Sequence, residues 1–269
     1  MKFYFALSYS PFSELTKCKE WGINKILSTY YVLRKTKVIR VKNCFEKQKG
    51  IEYFLDSGAF SAFTKREKID VKQYIDFIKE TKSLWTVYAG LDVIGDYRKT
   101  AKNLETMEQA GLQPLPTFHF RSPLSELERI CKEYDYFCLG GLVPLSLKRK
   151  QMEIWLDKCW SVIKRYWPKK VHAFGVNSSW IWKKYPFYSV DATSWNQGMK
   201  FGRVCFVDGI TLKGQTKKNP ALFVKSKMGT WQVRTQDNIN AFLLMEKNIT
   251  RLWEARGIDW EKQICAERV

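Results

Sequence analysis

Ile51-Glu52-Tyr53-Phe54-Leu55-Asp56-Ser57-Gly58-Ala59-Phe60 reads as an apolar strand that stops at an aspartate and turns through small residues. The same pattern returns along the chain. Gly90-Leu91-Asp92, Leu139-Gly140-Gly141-Leu142, His172-Ala173-Phe174-Gly175-Val176 and Ser189-Val190-Asp191-Ala192-Thr193 each close a strand-like run. Between such runs lie segments of helical spacing, as with Val71, Tyr74, Ile75 and Ile78 inside 70–82. Strands are expected at 3–8, 38–41, 51–55, 85–91, 115–120, 136–139, 171–176, 188–190 and 201–207. Helices are expected at 12–33 with Ser13 as N-cap, 70–82, 97–110 stopping at Gly111, 122–134, and 148–167 ending before Pro168. Alternation of this kind predicts parallel strands joined by crossover helices. About eight strands favour a TIM-like (β/α)8 barrel, with an open doubly wound sheet as the alternative. The whole of 1–269 is expected to form one such domain, without a zinc subdomain.

Strand ends matter because a parallel barrel gathers its active site there. A carboxylate buried at such an end is costly unless it is paired or used. Three of the five motifs carry one, so the chemistry is expected to run on aspartate. Asp191 can be read as the N-cap of a following turn, or as a nucleophile at an anomeric carbon with small neighbours that admit a substrate. Asp56 and Asp92 can be turn aspartates bonding their own backbone, or, with Asp191 on one barrel face, parts of an arrangement in which some recognise hydrogen-bond donors and others do acid–base or covalent work. Ser57 is a candidate oxyanion or phosphate donor. Gly140 and Gly141 leave room for a planar ligand to meet exposed backbone groups. Phe174 can stack on a ring or pack in the core. His119 ends its strand and can face the same pocket, whereas His172 is mid-strand and reads as structural.

The chain has 269 residues, with 46 Lys and Arg against 27 Asp and Glu, a formal net charge of +19. So large an excess points to a polyanionic partner, nucleic acid first. The seven cysteines are irregularly spaced with no C-x-x-C, and only two histidines occur, so neither a disulfide framework nor a metal centre is expected. No apolar run approaches the ~20 residues of a membrane helix. The N-terminus reads as a first strand rather than a signal peptide. A cytoplasmic protein is expected. No dinucleotide or P-loop glycine signature appears, and no cofactor is expected. Past Asp208 the texture turns basic. Residues 208–236, with Lys213, Lys217, Lys218, Lys225, Lys227, Trp231 and Arg234, read as a basic insertion or late hairpin that contacts nucleic acid. A last helix, 237 to 256, carries Phe242, Leu243, Met245, Ile249 and Leu252.

Taken in order over 50–195, these motifs resemble the tRNA-guanine transglycosylase superfamily. Asp56-Ser57-Gly58-Ala59-Phe60 is similar to its Asp-Ser-Gly-Gly-Phe/Tyr signature, with Ala59 in place of the second glycine. The resemblance implies that Asp56 contacts the exchanging base as general acid and base, and that Asp92 recognises the base. It implies too that Gly140-Gly141-Leu142 reads a 7-deazaguanine through its backbone. Phe174-Gly175-Val176 takes the place of a Met-Gly-Val segment, and Asp191 that of the nucleophile. The cysteine-rich zinc site of the tRNA enzymes has no counterpart here. The compact pattern looks more like phage-type DNA-guanine transglycosylases, which exchange guanine in DNA for a free 7-deazaguanine base such as preQ0 and so protect it from restriction nucleases. If phage-encoded, the protein would work in the host cytoplasm. The alternatives are the same exchange on tRNA, a non-catalytic nucleic-acid-binding barrel, and a hydrolytic N-glycosylase.

Overall fold

Runs such as Phe54-Leu55 and Phe137-Cys138-Leu139 are fully buried, as expected of strands covered by helices on their outer face. The computed structural model describes residues 1–7, 11–146, 148–196, 204–215, 231–260 and 262. Eight strands, β1 (Lys2–Ala6), β2 (Lys25–Thr29), β3 (Glu52–Asp56), β4 (Val87–Tyr88), β5 (Thr117–His119), β6 (Tyr136–Gly140), β7 (Lys170–Ala173) and β8 (Ser189–Ala192), follow the sheet order β4-β3-β2-β1-β8-β7-β6-β5. With the helices between them this is the α/β, (β/α)8 plan. Two further strands, β9 (Val204–Asp208) and β10 (Thr211–Gln215), form an antiparallel hairpin of their own.

Residue contacts divide the chain into two units, Ala6–Phe174 and Met1–Phe5 with Gly175–Val269. In the first, β2 pairs with β3 in register from Lys25↔Glu52 to Thr29↔Asp56, and β3 with β4. A bridge from Ala89 to Leu115 leads on to β5, which pairs with β6, and β6 with β7, all parallel. The helices here are α1 (Pro11–Cys18), α2 (Tyr30–Leu33), α3 (Val38–Glu46), α4 (Ala59–Thr64), α5 (Val71–Thr81), α6 (Tyr97–Gln109), α7 (Leu124–Glu133) and α8 (Arg149–Ile163). Helix α5 shows how they form. Asp70 caps it by accepting from Gln73 N at 2.9 Å, and Tyr74, Ile75, Phe77, Ile78 and Thr81 bury one face. Helix α6 begins the same way on Asp96 and stops before Gly111, whose φ of +81° ends the turn.

In the second unit β1 pairs with β8, Tyr4 opposite Asp191. Helices α9 (Ser179–Lys184) and α10 (Trp231–Glu254) complete it. Ile239, Phe242, Met245 and Ile249 of α10 are buried at helical spacing. Phe242 stacks on Phe3 at 4.7 Å between ring centroids, and Trp253 Nε1 donates to Trp182 O at 2.8 Å.

Several expectations need correction. The expected helix 12–33 is three elements: Gly22, at φ +74°, ends the first helix, and Lys25–Thr29 is strand β2. The β-branched run 38–41 is not a strand but opens α3. Val41 and Phe45, four apart, are buried while Ile39 is 62% exposed; tertiary packing selected the period of 3.6 over β propensity. Of the run expected at 201–207, residues 201–203 lie outside the described residues, and from Val204 on it belongs not to the eight strands but to the β9–β10 hairpin. The last helix begins at Trp231, six residues before the expected start, so the basic segment ends earlier than 236. No helix among the described residues is long and apolar enough to cross a membrane.

Candidate active site

The described geometry brings Ser57, Asp92 and His119 together in the first unit, each just past a strand or at its end. Ser57 follows β3 and is fully buried. Its hydroxyl donates to Asp92 Oδ1 at 2.7 Å and accepts from Ala59 N at 3.2 Å. It is therefore a clamp on Asp92 rather than the open oxyanion or phosphate donor expected. Gly58 makes the turn possible: it has φ +76°, and a Cβ there would sit 2.4 Å from Tyr31 Cβ.

Asp92 lies past β4 on a connection that is held on both sides. Gly90 N donates to Leu115 O at 2.8 Å, and Asn103 Nδ2, from α6, to Leu91 O at 3.0 Å. His119 Nε2 lies 2.8 Å from Asp92 Oδ2. Burial pushes the Asp92 carboxyl up, but the His119 imidazole and the Ser57 hydroxyl outweigh it and hold the group below the usual carboxylate range. Asp92 is thus held as a hydrogen-bond acceptor by the groups beside it. Asp56 ends β3 half-buried. The buried Tyr74 phenol is pushed well up, by burial first and then by the charges of Asp56 and Asp92. It donates to Ala89 O at 2.9 Å.

Gly140 ends β6, and its missing Cβ has a different reason from the one expected. A Cβ would meet His119 Cε1 at 2.9 Å and Thr117 Cγ2 at 3.0 Å, so the glycine makes room for the imidazole. Gly141 has φ +74° and would crowd Phe120. Leu142 is 1% exposed and packs in the core. Phe174 is half-buried, its ring 4.6 Å from that of His172 and 5.9 Å from that of Phe54. His172 is fully buried in this cluster.

In the second unit Asp191 is the third residue of β8, 7% exposed, and not a helix N-cap. Its Oδ1 accepts from Gly175 N at 2.8 Å. Trp195 is fully buried against Phe5, 5.9 Å between centroids, and belongs to the core. Lys213 pairs with Asp208 at 2.5 Å on the exposed hairpin, and Arg234 is half-buried on α10. Lys217, Lys218, Lys225 and Lys227 lie outside the described residues. Tyr74 entered the sequence reading only as an apolar position of its helix and Asn103 not at all, because each looks like an ordinary helix position.

No protein-family profile matches the chain, and no curated protein matches it. Among solved structures it is similar to tryptophan synthase subunit alpha from Campylobacter jejuni, with a TM-score of 0.52 and 10% identity over 90% of this chain and 95% of that one. The tryptophan synthase alpha-subunit from Pyrococcus furiosus follows at 0.46 and 15% identity, covering 74% and 89%. The 3-hexulose-6-phosphate synthase from Salmonella typhimurium scores 0.42 at 14%, covering 71% and 88%. At such identities the first of these supports the shared fold and nothing about the reaction.

Proposed function

We propose that the protein is an enzyme, a pentosyltransferase that exchanges guanine in DNA for a free 7-deazaguanine base. The observation that carries this reading is Asp191, a strand carboxylate buried to 7% and oriented by the backbone N–H of Gly175. A carboxylate held in place by a backbone N–H suits attack at an anomeric carbon. The guanine first leaves the base stack, at a cost of a few kcal/mol. An Asp191 oxygen then bonds to C1′ as the C1′–N9 bond breaks, and Asp56 gives a proton to the departing guanine. The 7-deazaguanine base enters and Asp56 takes back its proton. N9 of the new base bonds to C1′ and the ester to Asp191 breaks, with retention overall. In this reading Asp92, anionic and clamped by Ser57 and His119, accepts N–H groups of the base, and the backbone of Gly140 and Gly141 with the Phe174 ring complete its recognition.

The test is base exchange. Purified protein is incubated with DNA, and separately with tRNA, plus labelled guanine or preQ0, for wild type and Asp191→Ala. Label entering DNA alone, and lost in the variant, is the expected result. Label entering tRNA would move the reading to the RNA enzymes. Abasic sites formed without added base would make the protein a glycosylase. No label in either polymer would overturn the proposal.

A further inference from the structure

A groove of about 730 Å³ lies between α4 and α6, with Asp92 in its lining. Its floor is made of small and apolar groups such as Ala59, Ala62 and Leu91, with Phe63 standing 57% exposed in it. Arg66, Lys68, Lys99 and Lys102 line it against two acids, Glu67 and Asp92. Both acids are engaged already, Glu67 by Arg34 and Asp92 by His119. Lys99 holds Asp96 at 2.8 Å in an exposed pair, which is worth little and readily exchanged. Arg66, Lys68 and Lys102 are exposed and make no ion pair among the described residues. Arg66 also ends α4 at φ +56°, where glycine is the usual choice. Keeping an arginine there costs on the order of 1 kcal/mol.

We propose that this groove carries the backbone of single-stranded DNA up to Asp92, with one base stacked on Phe63. The proposal deepens the base-exchange reading and rests on it for the choice of DNA. The shape and charge point the same way. Uncompensated cations along an open track beside an exposed aromatic ring are the ingredients of single-strand binding. The volume is that of a small-ligand site, enough for a nucleotide or two and too small for a duplex. The occupant is then the unpaired stretch beside an extruded nucleotide.

The measurement is fluorescence anisotropy of a labelled oligo-dT, which holds no guanine and so reports binding without exchange. It is titrated across sodium chloride concentrations with wild type and with Arg66→Ala/Lys68→Ala/Lys102→Ala. The triple variant is expected to bind at least about tenfold more weakly at ~100 mM salt. Its slope of log affinity on log salt should be shallower by about 2, three contacts at ~0.7 each. Phe63→Ala is expected to weaken binding by about tenfold with the slope unchanged. Lys47→Ala/Lys150→Ala/Lys158→Ala removes the same charge from exposed positions elsewhere and should bind like wild type. Equal losses in the two triple variants, or no loss in the groove variant, would overturn the proposal. Oligo-U bound as tightly as oligo-dT, with the same groove dependence, would overturn the choice of DNA. The base-exchange assay runs alongside on a guanine-containing strand. Groove-dependent binding without exchange would sink the enzymatic reading and leave the groove. Exchange with groove-insensitive binding would sink the groove alone.

Discussion

Asp92 concentrates the electrostatics of the candidate site, since Ser57 and His119 occupy its two oxygens. Because its folded pKa is depressed, it adds stability that is fully present above the unfolded value of about 4 and lost as pH falls through the lower folded value. Asp92→Asn should therefore flatten the acid limb of stability below about pH 4, read by urea denaturation across pH; an unchanged limb would show that Asp92 is not held anionic. Gly140 is the second informative residue. Gly140→Ala pushes a methyl into the His119 ring and Thr117, and should cost about 1–3 kcal/mol in denaturant unfolding. Base-exchange activity should fall with it, as the imidazole is driven off Asp92. An Asp at a strand end and a Gly pair were both visible in the sequence. That the glycine serves the histidine was not, because His119 and Gly140 are twenty-one residues apart and meet only through the β5–β6 register.

Among the elements, α10 depends on one buried amide. Asn238 is fully buried; its Oδ1 accepts from Cys205 N and its Nδ2 donates to Trp195 O. Asn238→Leu removes both of these hydrogen bonds from buried backbone groups, at about 1–3 kcal/mol each, so a drop in melting temperature of several degrees is expected, read by calorimetry. A melting temperature within a degree of wild type would refute this role. Helix α5 offers a milder case, with Asp70→Ala expected to cost about 1 kcal/mol of its N-cap. Helices with a clear cap and one apolar face, α5 and α6, were legible in the sequence. Strand β2 and helix α3 were not: a short apolar run such as Lys25–Thr29 or 38–41 fits either period until its neighbours choose the buried side.

For the whole chain the dominant quantity is the net charge of +19. It predicts retention on any polyanion, weakening as salt rises, with log affinity linear in log salt. Binding to oligonucleotides that is flat between about 50 and 200 mM salt would remove nucleic acid as the partner. Charge sets whether such a polymer is attracted, not where it lies. From the sequence the contacts are expected on 208–236, and the proposed groove would add Arg66, Lys68, Lys99 and Lys102, which line it together with Asp92.

Alternation of strand and helix, the aspartates and glycines at strand ends, and the excess of basic residues were all decided by the order of residues, because periodicity, turn chemistry and charge are local or additive properties. The (β/α)8 class follows from them, and the strand order agrees with it. Which short runs become strands, that Ser57 clamps Asp92 instead of facing a ligand, that Gly140 yields its space to His119, and that four cations line one groove were decided only by the tertiary structure. Each of these is a contact between residues distant in sequence, and the free energy of such a contact exists only once packing has brought the partners together.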